Sequence, residues 1–161
     1  MAQGKCLRAI GQSLEILKVE AFDIKKDGTD YVVQAKRLPQ SGFRFVLAKT
    51  LVKKDPEGQG YEGLMRYSPM SISWLDAYGR KKRKNRSFTN SRGASNLSHL
   101  LRSLGEYLDR MELSALDIIW SPDSVSVDCL RRGGQSERKM FTPKELDELG
   151  LRMKFRRSNM S

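Results

Sequence analysis

The chain has 161 residues, 39% of them hydrophobic and 30% charged, with a net charge of +11. That length buries a substantial core, about 70% of the unfolded surface at this size, and the composition suits a soluble globular protein. Nothing approaches about 18 consecutive apolar residues, so no membrane span is expected, and Met1–Lys5 lacks the apolar stretch of a secretion signal, which leads us to expect a cytoplasmic protein.

Leu7, Ile10, Leu14 and Leu17 recur at helical spacing and predict a helix over Lys5–Lys18. A strand over Val19–Ile24 follows, with Phe22 and Ile24 on one face, then turn chemistry at Lys26-Asp27-Gly28 and a strand over Tyr31–Ala35. Phe43–Leu47 reads as an added strand, and Lys53–Gly60 as a polar loop. Ser68 as N-cap, Pro69 at the first helical position and a Tyr67–Ile72 staple open a second helix. Arg80–Arg86 closes it with six cations in seven positions, and Ser87–Ser95, rich in Ser, Asn and Gly, reads as linker. Leu97, Leu100, Leu101, Leu104, Leu108 and Met111 predict a helix over Asn96–Met111, with Ser95 placed to cap it. Strands over Leu113–Ile119, Val125–Leu130 and about Ser136–Phe141 are separated by turns at Ser121-Pro122-Asp123 and Gly133-Gly134. Thr142-Pro143-Lys144-Glu145 is a capping box that opens a last helix, with Phe141 and Leu146 as its staple.

These elements come in two sets. Leu7–Arg37 aligns with Leu101–Arg131 without a gap, and Leu7, Arg8, Gly11, Leu14, Ala21, Asp23, Ile24, Val33 and Arg37 meet identical residues 94 positions on. Tyr67, Ser68, Pro69, Ile72 and Leu75 correspond to Phe141, Thr142, Pro143, Leu146 and Leu149 at an offset of 74, so the first set carries an insert of 20 residues within about 38–60. One supersecondary unit used twice is the implied architecture. The expected fold is α+β: two tandem helix-β-β-β-helix repeats related by a pseudo-two-fold, with helices packed on one face of antiparallel sheet or sheets. The units are residues 1–79 and 96–161, joined by a basic linker over 80–95. Whether they share one sheet is open. Duplicated helices on a curved antiparallel sheet resemble, at the level of fold alone, the TATA-binding-protein arrangement; no residue motif carries that likeness and it assigns no site residues.

The charge is uneven. Residues 1–94 hold 19 Lys and Arg against 9 Asp and Glu, whereas residues 95–161 hold 11 against 10. A cationic segment fits a polyanion, because each neutralised phosphate releases condensed counterions. The candidate nucleic-acid contacts are therefore Arg80, Lys81, Lys82, Arg83, Lys84 and Arg86, with Arg152, Lys154, Arg156 and Arg157 in the matching place of the second repeat. If about six phosphates of duplex DNA were engaged, log K would fall against log salt with a slope near −5. Solvated linkers and helix C-termini also carry such runs. Base-reading motifs are absent, so binding of DNA or RNA is expected to be weakly sequence-specific. Trp74 and Tyr78, four apart on one helix face, either stack on bases or, the favoured reading, pack on the sheet.

The remaining candidates point away from catalysis. Gly58-x-Gly60-x-x-Gly63 has the letters of a nucleotide loop but is preceded by a polar loop and followed by a strand, the reverse of what phosphate binding needs. His99, the only histidine, reads as a surface imidazole. Cys6 and Cys129 read as reduced, buried thiols, and one histidine with two distant cysteines does not make a zinc site. Asp23 and Asp117 face away from the apolar side of their strands. A hydrogen bond or ion pair that fixes strand to helix, with Arg8 and Arg102 as candidate partners, is the favoured reading over paired carboxylates that act as acid and base or bind a cation. Gly11 and Gly105 interrupt helices at a cost of about 1 kcal/mol each, which suggests close helix packing. The leading expectation is a non-enzymatic nucleic-acid-binding protein without metal or cofactor. The alternatives are a protein-interaction module, using a sheet edge or the Phe43–Val52 insert, and small-ligand binding in a cleft between the repeats.

Overall fold

The apolar stripe of the first helix, α1 (Gln3–Ile16), is buried through Cys6, Leu7, Ile10 and Leu14; Leu17 lies outside the described residues. The computed structural model describes residues 3–16, 19, 21–38, 49–54, 61–85 and 97–150. After α1 come β1 (Phe22–Asp27), β2 (Asp30–Leu38), β3 (Lys49–Lys54), β4 (Tyr61–Tyr67) and α2 (Pro69–Asn85). The second part holds α3 (Leu97–Arg110), β5 (Leu113–Trp120), β6 (Val125–Arg131), β7 (Ser136–Phe141) and a fourth helix, α4, over residues 143–150.

The protein is α+β. All seven strands form one antiparallel sheet in the order β3-β4-β2-β1-β5-β6-β7. The two parts join where β1 pairs with β5, through Phe22↔Trp120, Asp23↔Ile119, Ile24↔Ile118 and Lys25↔Asp117. Residues 94 apart hold like positions in the two hairpins: Ile24↔Val33 and Ile118↔Val127, Lys26↔Tyr31 and Trp120↔Val125. Tyr31↔Tyr67 and Val125↔Phe141 extend the correspondence to the next strands out.

The helices lie on one face. Phe22, Ile24, Tyr31, Val33, Ala35, Met65 and Tyr67 point into the core from the first strands, and Ile118, Trp120, Val125, Val127 and Cys129 from the second. α1 and α3 run antiparallel and make the most extensive helix–helix contact. The two glycines explain how closely. A Cβ built on Gly11 would come within 2.7 Å of Ser98 Cα, and one on Gly105 within 2.5 Å of the Gly4 nitrogen. Asp109 caps the other helix's start, accepting from the N–H groups of Gln3 (3.1 Å) and Gly4 (3.3 Å). α2 flanks α1, and α4 flanks α3, where Gly150 sits against Ser103 and His99. The Ser13 and Tyr67 hydroxyls satisfy each other inside the core at 2.8 Å.

Two of the three predicted helix caps form; the third, Ser95, lies outside the described residues. Ser68 Oγ accepts from the Ser71 N–H (3.2 Å), and Thr142 and Glu145 exchange reciprocal bonds of 3.2–3.3 Å. Two strand expectations and one loop expectation are corrected. The first strand occupies Phe22–Asp27 rather than Val19–Ile24, because polar Lys25–Asp27 stays paired with Asp30–Val32, and Arg66 ties Asp27 (2.6 Å) to Asp30 (2.9 Å). The insert contributes its strand at Lys49–Lys54, paired to β4; Phe43–Leu47 lies outside the described residues, and Lys53 and Lys54 belong to β3 rather than to a loop. Leu116 does not mirror Phe22. A bulge between Ala115 and Asp117 places Ala115 inward and leaves Leu116 40% exposed.

Candidate nucleic-acid interface

The α2 sequence PMSISWLDAYGRKKRKN divides by face and by length. Ile72 and Leu75 are buried, as is Asp76, whose carboxylate accepts from the Arg8 guanidinium and lies 3.7 Å from Lys5 Nζ. This contact fixes α2 against α1. The opposite face carries Met70, 74% exposed, and Trp74, 63% exposed, with Ser73 and Ala77 also exposed. The expectation that Trp74 packs on the sheet is therefore corrected: α2 leans on α1, and its outer face has no apolar partner among the described residues. Large exposed apolar side chains at i and i+4 form a local platform.

The cationic run begins inside this helix. Arg80, Lys81, Lys82, Arg83 and Lys84 occupy the last turns of α2, which continues to Asn85. By helical spacing, positions 77, 81 and 84 continue the line of positions 70 and 74. Arg86, Arg152, Lys154, Arg156 and Arg157 lie outside the described residues, as does Gly58-x-Gly60, whereas Gly63 is in β4.

A second cluster sits on the helix-free face. Asp23 and Asp117 are diagonal neighbours across the β1–β5 junction. Burial and then the adjacent Asp23 carboxyl push Asp117 up to about 7. Two carboxylates offer no donor to each other, and Oδ1 of each is buried without a hydrogen-bond partner among the described residues. Protonating Asp117 supplies that donor. Lys25 lies 4.0 Å from Asp23, and Asp128, directly across from Asp117, is held by Arg138 at 2.8 Å. The expected ion pairs with helix residues do not form: Arg8 binds Asp76 and Arg102 binds Glu106, because the aspartates point away from the helices.

The other candidates have ordinary surroundings. His99 Nε2 lies 3.3 Å from Asp147 on α4. Cys6 and Cys129 are free and buried, and burial raises both thiols. Among the described residues no group of three or more His, Cys, Asp or Glu side chains is arranged to hold a metal ion, and no helix is long and apolar enough to cross a membrane. The exposure of Trp74 and the pairing of Arg8 with Asp76 are the features that sequence reasoning missed. The Met70–Trp74 spacing, on the side of α2 opposite Ile72 and Leu75, was the available signal for the first. No protein-family model, curated protein or solved structure matches this chain.

Proposed function

We propose that the chain is a duplicated α-β-β-β-α unit whose first half carries a nucleic-acid contact on α2, and that the protein is a non-enzymatic binder acting in the cytoplasm. The equal strand registers at a 94-residue offset, and the mutual approach of Gly11 to Ser98 and Gly105 to Gly4, support the duplication. The observation that carries the binding reading is the 63% exposure of Trp74 on the helix that continues into Arg80–Lys84. Bases stack on exposed aromatic rings regardless of sequence, while neighbouring cations hold the backbone. Positions 74 and 81 are about 10 Å apart along a helix rising 1.5 Å per residue, close enough for one strand to touch both. A single strand, whose bases are free to stack, suits this arrangement better than a duplex. The basic C-terminal run Arg152–Arg157 occupies the equivalent place after α4 and supplies a second backbone contact.

The test is a titration of labelled single- and double-stranded oligonucleotides at low and physiological salt, with wild type and with Arg80–Lys84 changed to Gln. Wild type should prefer the single strand, and the variant should lose at least about tenfold in affinity, with a salt slope shallower by about 3.5 if all five cations meet phosphates. Equal affinity for both proteins, or none for wild type, would overturn the proposal. Stoichiometric recovery of a protein partner with no nucleic acid would favour an interaction module instead.

A further inference from the structure

The two ends of the β1–β5 junction are built differently. At one end Phe22 and Trp120 are register partners and stack, with ring centroids 5.6 Å apart and planes 7° from parallel. The 94-residue offset places Leu116 and Lys26 at the corresponding positions of the other end. There the ladder stops at Lys25↔Asp117, one step short, because the β5 bulge has turned Leu116 outward. No aromatic pair fills the gap. A cavity of about 580 Å³ stands there, lined among others by Cys6, Lys26, Tyr31, Ile72, Leu116 and Arg132. That volume is typical of small-molecule sites.

The walls are fixed. Gln3 clamps the start of β5, donating through Nε2 to the Leu113 carbonyl (2.6 Å) and accepting from the Ala115 N–H (2.8 Å). Tyr31, Ile72 and Cys6 supply a mainly apolar floor and are themselves buried. Lys26 places its ammonium 4.1 Å from the centre of the Tyr31 ring, and among the described residues neither Lys26 nor Arg132 has an ion pair. Of the two acids on the wall, Asp109 is committed to the N-terminus of α1, and only Glu112 opposes the two cations.

We infer that this cavity is a binding site for a small anion with an apolar or aromatic body, a carboxylate, sulfonate or phosphate ester whose charge meets Lys26 and Arg132 while its body rests on Tyr31 and Ile72. The cation over the ring and the apolar floor suit such a molecule, and the aromatic stack at the opposite end shows what the space holds when it is closed. The site lies on the inner side of α2, at Ile72, and not on the Met70–Trp74 face, so its test needs no nucleic acid.

The probes are anilinonaphthalene sulfonate and its neutral relative phenylnaphthylamine, followed by fluorescence. Wild type should bind both at one per chain. Lys26→Met, which keeps the cavity and removes the cation, should weaken the sulfonate about tenfold and leave the neutral dye unchanged. Lys26→Trp, which restores the residue type found at the other end, should abolish both. Thr29→Trp, at the exposed rim, is a second blocking variant that leaves the core untouched and should also abolish both. Binding retained in the folded blocking variants, equal losses of both dyes with Lys26→Met, an unchanged sulfonate affinity in that variant, or no binding to wild type would each overturn the assignment.

Discussion

Gly105→Ala separates packing from helix propensity, because the two predict opposite signs. In an isolated helix the change is favourable by about 1 kcal/mol. In this protein the new methyl would meet backbone: 2.5 Å to the Gly4 nitrogen and 2.7 Å to the Gln3 carbonyl carbon. Backbone cannot rotate aside as a side chain can, so α1 must move outward by about 1 Å to reach ordinary van der Waals separation. That movement loosens the Leu7, Ile10 and Leu14 stripe from the sheet and strains the Asp109 cap on Gln3 and Gly4. Overpacking of this kind costs about 1–3 kcal/mol, and contact with main chain places it at the upper end. After subtracting the propensity gain, a loss of about 2 kcal/mol remains, equivalent to a melting point lower by about 4–8 °C for a chain of this size. Thermal unfolding followed by far-ultraviolet circular dichroism reads it directly. Gly11→Ala, 2.7 Å from Ser98 Cα, should behave alike. A higher melting point for either variant would refute close α1–α3 packing.

Two further outcomes follow from buried charge. Asp117 has a folded pKa near 7, above its unfolded value, so its contribution is fully present below about pH 4, declines as pH rises towards 7 and is lost above it. Denaturant titrations across that range should show stability falling with pH, and Asp117→Asn should flatten the fall; an unchanged profile would contradict the carboxyl pair. Below this window the sign reverses: Glu137, held near 2 by Arg131 and Lys139, contributes stability that is lost as pH drops through its folded value. Asp76→Ala strands the Arg8 guanidinium, whose Nε already has no partner among the described residues, and should cost about 3 kcal/mol in chemical unfolding. A cost below about 1 kcal/mol would show that solvent reaches the pair.

Much of the architecture was legible because it rests on periodicity and local turn chemistry. The stripes of α1 and α3, the limits of β7 and the Thr142–Glu145 box need only near neighbours in sequence. The glycines at 11 and 105 were informative because a costly residue recurs in the same place. The misreadings share a different cause: each turned on a distant partner. Lys25–Asp27 looks like a turn until Arg66 and β2 hold it extended. Leu116 looks like an inward residue until the bulge shifts it. Asp23 is the exception: strand alternation alone places it on the face opposite Phe22 and Ile24, away from the helix that carries Arg8. Trp74 looked like core because aromatic residues usually are, and only the lean of α2 towards α1 leaves it in water. The cavity arises from a bulge and an unfilled pairing step, neither of which a composition or a motif records.

If α2 receives nucleic acid on Trp74, tryptophan emission reports the contact. The chain has two tryptophans, and Trp120 is buried against Phe22. Adding an unlabelled single-stranded oligonucleotide should quench wild-type emission, and Trp74→Phe, which retains only Trp120, should show almost no quenching while binding about tenfold or less more weakly. Equal fractional quenching in the two proteins, or none in wild type at saturation, would show that nucleic acid does not bind over Trp74.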